Sequence, residues 1–433
     1  MKMISGRLRA ALLMGTAASV LALAAGAQAQ NQNSQNQNNG NPAPGNSWPY
    51  GATGRSAPVL AVVGDVSCQP GETEPSGEKA GENCAGDSAQ NLIASQAATA
   101  KWIENMKPDL VALVGDEQYQ VGQYSDFENS YESTYGAFKM ITRPAPGNHE
   151  FYTEHGALGV AGYGYFSYFN GVQHNADGSV MTATIADIPE TGGTFTQPVP
   201  YSDGQAGHFE QSGGLGSQVG GGPVGVGNGW YSYNLGSWHL ISLNIECETQ
   251  PGGCSDTGTW FAAELDWLKK DLAANHSACT LAYWHQPTFS AADSIAIPEG
   301  PTSQAFWQLL YQYGADVVLN GHDHVYARYR PLDPSGNYDP KKGIREFIVG
   351  TGGETLDAVV TTGSSSDPGG HANFNAENLE ASTGQFWGVM GLTLQQTGYA
   401  WDFESALKDP AQTTGPASYS DKGVGTCHGS VNR

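Results

Sequence analysis

Five short polar motifs in this chain carry side chains that commonly do chemistry in proteins. Each follows or adjoins a hydrophobic run, and four contain a glycine; they are Gly64-Asp65, Gly115-Asp116-Glu117-Gln118-Tyr119, Gly147-Asn148-His149-Glu150, Trp284-His285 and Gly321-His322-Asp323-His324. Oxygen atoms of Asp, Asn and Tyr and imidazole nitrogens bind hard and borderline metal ions, and no thiolate belongs to the set. The residue types therefore indicate a metal site with oxygen and nitrogen ligands.

Seven side chains of these motifs are candidate ligands: Asp65, Asp116, Tyr119, Asn148, His285, His322 and His324. Seven is too many for one tetrahedral zinc ion, and it suits two ions that share a bridging carboxylate. Each motif alone is a weak signal, because a Gly-Asp pair is usually a plain turn and a lone histidine usually belongs to the core. GNHE and GHDH after two Gly-Asp turns form a strong joint signal.

The elements before the first motifs predict that the ligands meet at one edge of a sheet. Residues 58–63 and 109–114 are short hydrophobic runs typical of buried strands, and a helical pattern spans 88–106 between them. This order predicts a parallel pair joined by a right-handed crossover. Ligands of open α/β sheets bind beyond the carboxyl ends of strands, which is where Asp65 and Asp116 stand.

The second half of the chain continues the alternation of strands and helices. The predicted strands are 230–235, 238–244, 280–284, 316–319, 346–349, 387–394 and 398–403, and the helices are 260–273 and 302–313. Thr302 and Gly314 are expected to cap the last helix. The pattern predicts an α/β fold. Residues 170–228 are Gly-rich without clear periodicity, so we expect an inserted loop region there.

The first 29 residues have the features of a secretory signal peptide. A basic start is followed by an apolar run over 10–25 and the small-residue motif Ala27-Gln28-Ala29. The run is shorter than the ~20 residues that a membrane-spanning helix needs, although a retained anchor is the alternative. Residues 30–57 are rich in Asn, Gln, Pro and Gly and are predicted to be a disordered linker before a domain over 58–433. We therefore expect a secreted or periplasmic protein without membrane attachment after cleavage.

Six cysteines, all beyond the predicted signal peptide, indicate disulfides in an exported protein. Six cysteines allow 15 pairings. Local spacing favours Cys68–Cys84 and Cys247–Cys254, which leaves Cys279–Cys427.

The charge balance argues against nucleic acids as partners. The chain has 19 Lys and Arg against 42 Asp and Glu, a formal net charge of −23. Nucleic-acid binding needs clustered Lys and Arg to neutralise phosphates, so no nucleic-acid binding is expected. Small phosphorylated substrates suit a local metal site better than a polymer does, and the oligomeric state is left open.

The motif series GD…GDxxY…GNHE…H…GHxH resembles the calcineurin-like metallophosphoesterases, and the tyrosine of GDxxY resembles their purple acid phosphatase branch. The motifs occur in the family order over most of 58–350. The resemblance implies two packed mixed β-sheets flanked by helices. It also implies two ligand sets that share Asp116: Asp65, Asp116, Tyr119 and His324 for the first ion, and Asp116, Asn148, His285 and His322 for the second.

The ligand charges favour different ions in the two sets. Three anionic ligands in the first set favour Fe(III), and one carboxylate, one amide and two imidazoles in the second suit divalent Zn, Mn or Fe. The resemblance implies an acid phosphatase that hydrolyses phosphate monoesters by attack of a metal-activated hydroxide. His149 is then expected beside the leaving group as general acid or transition-state stabiliser; the alternative is that it orients a ligand. Glu150 is expected to support the ligands from behind.

Two other functions stay open at this point. One is a phosphodiesterase or nucleotide-cleaving enzyme on the same metal site, and the other is an exported binding protein whose metal site is structural. Ser67 stands where relatives outside the purple branch have histidine, and residues 290–298 lack the further histidines of plant and animal relatives. These departures leave the substrate range and pH optimum undetermined. His155 is a further candidate for reaching the pocket.

Overall fold

The computed structural model describes most of the chain after residue 54. The described residues are 55–70, 87–151, 162–186, 194–200, 228–250, 252–290, 292, 300–361, 364–365 and 374–429. The predicted signal peptide, the predicted linker up to residue 54, Cys84 and His155 therefore lie outside them. Residues 55–57, the end of that linker, are tied to the first helix because Arg55 donates to the carbonyl oxygens of Met106 and Lys107.

Nineteen strands and five α-helices occur in the described residues. The strands are β1 Val59–Val63, β2 Ser67–Cys68, β3 Leu110–Val114, β4 Gln118–Tyr119, β5 Thr142–Ala145, β6 Thr182–Ala186, β7 Thr194–Pro198, β8 Tyr231–Leu235, β9 Trp238–Ser242, β10 Cys279–Tyr283, β11 Val317–Asn320, β12 Tyr326–Tyr329, β13 Arg345–Val349, β14 Ser364–Ser365, β15 Phe374–Asn375, β16 Leu379–Thr383, β17 Phe386–Gln395, β18 Gly398–Lys408 and β19 Ser420–Thr426. The helices are α1 Asp87–Met106, α2 Tyr124–Asp126, α3 Tyr163–Asn170, α4 Trp260–Ala274 and α5 Gly300–Gln312.

Two large mixed sheets form the centre of the fold. The six-stranded sheet has the order β19-β18-β17-β1-β3-β5, in which β1, β3 and β5 are parallel and the other pairings are antiparallel. The seven-stranded sheet has the order β16-β12-β13-β11-β10-β9-β8, with a parallel centre from β13 to β9 and antiparallel strands at both edges. This architecture confirms the expected two mixed sheets with flanking helices.

Alternating side chains of the central strands build three hydrophobic layers. Leu60 and Val62 of β1 face Leu240 and Leu281 in the core between the sheets. The intervening side chains point outward, and Val63 joins a layer formed with α1 and α3. On the other side, α4 and α5 pack on the seven-stranded sheet. Strands that are buried on both faces explain the continuous hydrophobic runs in the sequence.

The predicted central elements are confirmed, and the departures lie mainly at the edges. The strands β5, β12, β16 and β19 and the helix α3 were not predicted. The expected N-cap Thr302 is wrong because α5 begins at Gly300, whereas Gly314 does follow the helix with a φ of 71°. The inserted loop region expected over 170–228 includes two strands, β6 and β7, which form an antiparallel pair, while residues 187–193 and 201–227 lie outside the described residues. That pair is held by main-chain bonds and carries no row of large apolar side chains. The hydrophobic periodicity of the sequence therefore gave no sign of these two strands.

Two of the predicted disulfides are present, Cys247–Cys254 and Cys279–Cys427. Cys68 is also disulfide-bonded, and its predicted partner Cys84 lies outside the described residues. The described helices include none that is long and apolar enough to cross a membrane.

Candidate metal centre

The loops that carry the predicted ligands follow the carboxyl ends of parallel strands in both sheets. Asp65 follows β1, Asp116 follows β3 and Asn148 follows β5 in the six-stranded sheet. His285 follows β10 and His322 follows β11 in the seven-stranded sheet. The contacts between these residues show that all five loops meet at one edge of the sandwich, where ligand sites of α/β sheets commonly lie.

The backbone of these loops is unusual where the ligands stand. Asp65, Asp116 and His322 have positive φ angles of 59°, 49° and 69°, a conformation that costs energy for residues other than glycine and is concentrated at functional sites. The neighbouring Gly147 is required by close approach, since a Cβ there would lie 2.2 Å from Oδ1 of Asp116. Gly321 is similar, because its Cβ would lie 2.6 Å from Oδ2 of Asp65.

The hydroxyl of Tyr119 is the centre of one ligand cluster. Its Oη lies 2.8 Å from Oδ1 of Asp65, 2.9 Å from Oδ2 of Asp116 and 3.0 Å from Nε2 of His324. All four side chains are buried. These are the four residues that the family resemblance assigned to a first ion.

A second cluster adjoins the first through Asp116. Nε2 of His285 lies 2.9 Å from Oδ2 of Asp116. Nδ1 of His322 lies 3.3 Å from Nε2 of His285 and 3.2 Å from Oδ1 of Asn148. The structure therefore brings all seven predicted ligands together, with Asp116 in the shared position that a bridging ligand requires.

Main-chain carbonyls orient two of the histidines. Nδ1 of His285 donates to the oxygen of Val114 at 2.9 Å, and Nδ1 of His324 donates to the oxygen of Thr355 at 2.6 Å. In both residues this directs Nε2 into the cluster. Metal-binding histidines are typically oriented in this way.

The clusters contain more lone pairs than protons, which tests whether they fit metal ions. Tyr119 has one hydroxyl proton for three acceptors within 3.0 Å. The buried carboxylates of Asp65 and Asp116 face imidazole nitrogens: Nε2 of His324 lies 3.3 Å from Asp65, and Nε2 of His285 and of His149 lie 2.9 Å and 3.8 Å from Asp116. Converging buried acceptors are satisfied by cations, so the donor set fits a pair of metal ions.

The shifted pKa values of Asp116, His285 and Tyr119 also fit a site for cations. Burial raises the pKa of Asp116, but His285 and His149 outweigh burial and hold this pKa well below its usual range. Burial lowers the pKa of His285, but the charge of Asp116 outweighs it and brings the value to about 10. Burial, Asp116 and Asp65 together raise the pKa of Tyr119 well above its usual value. The cluster attracts positive charge, and a phenolate at Tyr119 requires a cation beside it.

His149 lies at the edge of both clusters. Its ring packs on that of Tyr119 with centroids 4.1 Å apart, and its Nε2 lies 3.8 Å from Oδ2 of Asp116. Nδ1 lies 2.7 Å from the oxygen of Gln120, a contact that orients the ring. Burial lowers the pKa of His149 to about 4, although Asp116 acts in the opposite direction.

Glu150 joins the loops that carry the ligands. Its carboxylate accepts hydrogen bonds from the main-chain N–H groups of Asp116 at 3.1 Å, Gln118 at 3.0 Å and Gly147 at 2.8 Å. Glu150 is fully buried. It therefore holds the loop after β3 against the loop after β5, as the sequence reasoning expected.

Sequence reasoning missed Asp357, in the segment after β13, which also reaches the ligands. Asp357 accepts a hydrogen bond from the main-chain N–H of His324 at 3.0 Å. The available signal was topological: β13 is parallel to β11, so its carboxyl end lies at the same edge of the sheet. Gly352 and Gly353 form a close-packed turn in this segment, because Cβ atoms there would lie 2.4 Å from the oxygen of Gly64 and 2.0 Å from that of Val66.

Comparison with known proteins identifies the class. The family model of the calcineurin-like phosphoesterases matches residues 59–326, and the chain belongs to this family. Within it, the chain is similar to purple acid phosphatases. It is 33% identical to purple acid phosphatase 15 of Arabidopsis thaliana over 115 residues. This stretch is 25% of this chain and 20% of that protein.

Other relatives are matched over similarly short stretches. An acid phosphatase of Aspergillus ficuum is 30% identical over 150 residues, which cover 27% of this chain and 24% of that protein. The chain thus spans about a quarter or less of the length of these curated relatives. The purple acid phosphatase PPD1 from yellow lupin superposes with a TM-score of 0.48 at 16% identity, over 84% of this chain and 53% of that one.

Proposed function

We propose that this phosphoesterase is a secreted acid phosphatase that hydrolyses phosphate monoesters at a binuclear metal centre. The observation that carries the proposal is the convergence of Asp65, Asp116 and His324 on the hydroxyl of Tyr119. A tyrosine in this position is the feature that resembles the purple acid phosphatases. The phosphoesterase family is established by the match over 59–326, and the monoester substrate, the metals and the residue roles are the proposed part.

Each ligand set matches a different kind of ion. Asp65, Asp116, Tyr119 and His324 would hold Fe(III), because two carboxylates and a phenolate supply three negative charges. Asp116, Asn148, His285 and His322 would hold a divalent Zn, Mn or Fe ion. When bound, the ions supply Lewis acidity, which lowers the pKa of water and neutralises phosphoryl charge.

His149 is the side chain proposed to act on the leaving group. Its contact with the oxygen of Gln120 at 2.7 Å orients the ring so that Nε2 faces the cluster. Because burial lowers the pKa of His149 to about 4, the ring carries a proton on Nε2 mainly at acid pH, where it can give that proton to the departing alkoxide. The burial of His149 against Tyr119 keeps the ring in this orientation and limits the access of water.

A small monoester suits the electrostatics of the chain. The formal net charge of −23 repels anionic substrates at a distance. At physiological salt, charges more than about 8 Å away are largely screened, so the local cations dominate once the phosphate reaches the centre. A long polyanion would extend beyond the reach of the local cations and meet the net negative charge of the rest of the chain.

The test is kcat/KM for an aryl phosphomonoester and the matching diester from pH 4 to 9, together with the metal content of the purified protein. We expect two ions per chain, a preference for the monoester and an acidic optimum. His322→Ala should abolish the activity because it removes a proposed ligand. A higher kcat/KM for the diester would contradict the monoester assignment. Two bound ions without hydrolysis of any phosphate ester would contradict the enzyme assignment.

Export is proposed on the signal-like start of the sequence and on the disulfides. Cys247–Cys254 and Cys279–Cys427 are of the kind that persists in oxidising compartments. We expect removal of residues 1–29, which leaves the proposed linker over 30–57 and a catalytic domain over 58–433. Sequencing of the N-terminus of the exported protein should begin at Gln30. An intact N-terminus in a membrane fraction would contradict cleavage.

A further inference from the structure

The segment 350–357, here called the brace, connects the two sheets at the metal centre. It follows β13 of the seven-stranded sheet and continues to the six-stranded sheet, where the N–H of Gly352 donates to the oxygen of Gly64 at 2.9 Å. At its start, the N–H of Gly350 donates to the oxygen of Val325 at 3.1 Å. The brace therefore contacts the loops that carry the ligands on both sides.

Two buried elements support the brace from behind. Ser95 of α1 donates to the oxygen of Gly353 at 2.7 Å. The indole N–H of Trp387 donates to the oxygen of Glu354 at 2.6 Å, and Thr351 donates through its hydroxyl to the oxygen of Gly388 at 2.9 Å. Because α1 and β17 lie in the hydrophobic core, these bonds give the brace a rigid support.

The front of the brace bonds to two ligands of the first cluster. The N–H of Glu354 donates to the main-chain oxygen of Asp65 at 3.1 Å. His324 is held by three bonds: its Nδ1 donates to the oxygen of Thr355 at 2.6 Å, its N–H donates to Oδ2 of Asp357 at 3.0 Å, and its main-chain oxygen accepts from the N–H of Asp357 at 3.1 Å. Asp357 thus engages both polar groups of the His324 main chain.

Ligands of the second cluster are supported by other parts of the molecule. His285 donates through Nδ1 to the oxygen of Val114. The loop that carries Asn148 is held by Glu150 through the N–H of Gly147. The clusters share Asp116, and the N–H of His322 also donates to Oδ2 of Asp65 at 3.1 Å. The bonds from the brace, however, go to Asp65 and His324 of the first cluster.

We propose that Asp357 is a positioning residue for the first metal ion and that it acts by fixing His324. This inference rests on the ligand sets of the proposed function. Without the carboxylate, the N–H of His324 loses its acceptor and the loop that aims Nε2 at Tyr119 is released on one side. Groups that orient ligating histidines typically contribute 10- to 100-fold to metal affinity. The loss should fall on the first ion, because His285 and Asn148 keep their supports.

The experiment compares Asp357→Ala with two controls in the full chain. Asp357→Asn keeps an oxygen acceptor for the N–H of His324. Asp109→Ala is the matched control, because Asp109 also accepts a main-chain hydrogen bond, from Val59 at 2.8 Å, at the opposite end of β1. Each protein is analysed for its metal content by elemental mass spectrometry and for the rate at which each ion is released to a chelator.

The expected result is selective. Asp357→Ala should hold the second ion and release the first about 10- to 100-fold faster than wild type, while Asp357→Asn and Asp109→Ala should release both ions at the wild-type rate. Equal acceleration for both ions, or none, would overturn the proposal. A wild-type protein that holds no metal would instead refute the proposed function, and the role of Asp357 with it.

A second variant covers the case in which Asp357→Ala fails to fold. Trp387→Phe keeps the aromatic packing but removes the indole N–H that holds the oxygen of Glu354. It should also accelerate release of the first ion alone, by a smaller factor. Unchanged release of the first ion from a folded Trp387→Phe protein would contradict the role of the brace.

Discussion

The two clusters of the metal centre differ in charge and in support, although they share Asp116. Asp65, Tyr119 and His324 form an anionic cluster around one phenol oxygen, and the brace 350–357 holds it. The second cluster, Asn148, His285 and His322, adds no carboxylate or phenol of its own, and its support comes through Val114 and Glu150. The difference shows how one edge of a sandwich can present two adjoining sets of side chains with unlike chemistry.

Replacement of the shared residue Asp116 should affect both clusters alike. It should have the largest effect on metal content and kcat/KM. Asp116→Asn removes the carboxylate whose Oδ2 contacts the side chains of both Tyr119 and His285. We expect loss of both ions and a fall in kcat/KM of more than about 10³-fold, because the Lewis acidity is lost with the ions. Metal content and kcat/KM measure this effect, with Asp109→Asn as the control. Two retained ions in Asp116→Asn would show that Asp116 is not shared.

A substitution confined to the first cluster should separate the two. Tyr119→Phe removes the oxygen on which Asp65, Asp116 and His324 converge. We expect the first ion to bind at least about 100-fold more weakly and the second to be retained. Titration of the metal-free protein with each metal measures the two affinities. Tyr131→Phe, which shortens a buried tyrosine outside the cluster, is the control. Equal weakening of both ions by Tyr119→Phe would contradict the separation.

A substitution at His149 should leave both clusters intact and still reduce turnover. His149→Ala removes a ring that contacts Tyr119 but is not one of the proposed ligands. We expect kcat to fall about 10²-fold or more, with two ions still bound. Steady-state kinetics and metal analysis distinguish this outcome from loss of a ligand. Loss of metal from His149→Ala would assign the residue to the support of the centre instead.

Glu264 is a buried carboxylate outside the two clusters, and its replacement gives the smallest expected effect, a change in the free energy of unfolding. Burial raises the pKa of Glu264 well above its usual value, although the N–H of Asn244 bonds to it. Because the folded state binds the proton more tightly, the stabilisation is complete below the unfolded pKa of about 4.3 and is lost as pH rises. Glu264→Gln cannot ionise, so its free energy of unfolding should gain about 1–3 kcal/mol relative to wild type between pH 4.5 and 8.

Urea unfolding at about pH 4.5 and about pH 8, with metal present, measures the difference in the free energy of unfolding between wild type and Glu264→Gln. The exposed Glu248→Gln is the control and should show no such trend. A constant difference between wild type and Glu264→Gln across the pH range would show that Glu264 ionises normally. It would also weaken the contrast with Asp116, whose neighbouring imidazoles lower its pKa instead.

Local patterns were sufficient for the centre of the fold. The runs that became β1, β3, β10 and β11 are hydrophobic on both faces because they lie between two layers, so their composition alone identified them. Edge strands such as β19 were missed, since its alternating residues include Asp421, Lys422 and two glycines. It is held by main-chain pairing with β18. Partners that are distant in sequence supply that pairing, and no local pattern records them.

The candidate ligands could be named from the sequence because their motifs are local. Gly64, Gly115, Gly147 and Gly321, each before a candidate ligand, mark turns that leave room for only a hydrogen atom. Gly147 against Asp116 is the clearest case. The chemistry of the seven side chains then limited the ions that could bind.

The sequence alone determined the residue types of the centre, their order along the chain and the strands that present them. The tertiary structure alone decided which side chains touch, that Tyr119 is the point of convergence, and that Asp357 supports His324 from 33 residues away. The physical reason is range. Burial and turn geometry are encoded in a few neighbouring residues, whereas a hydrogen bond between distant loops depends on how the two sheets pack.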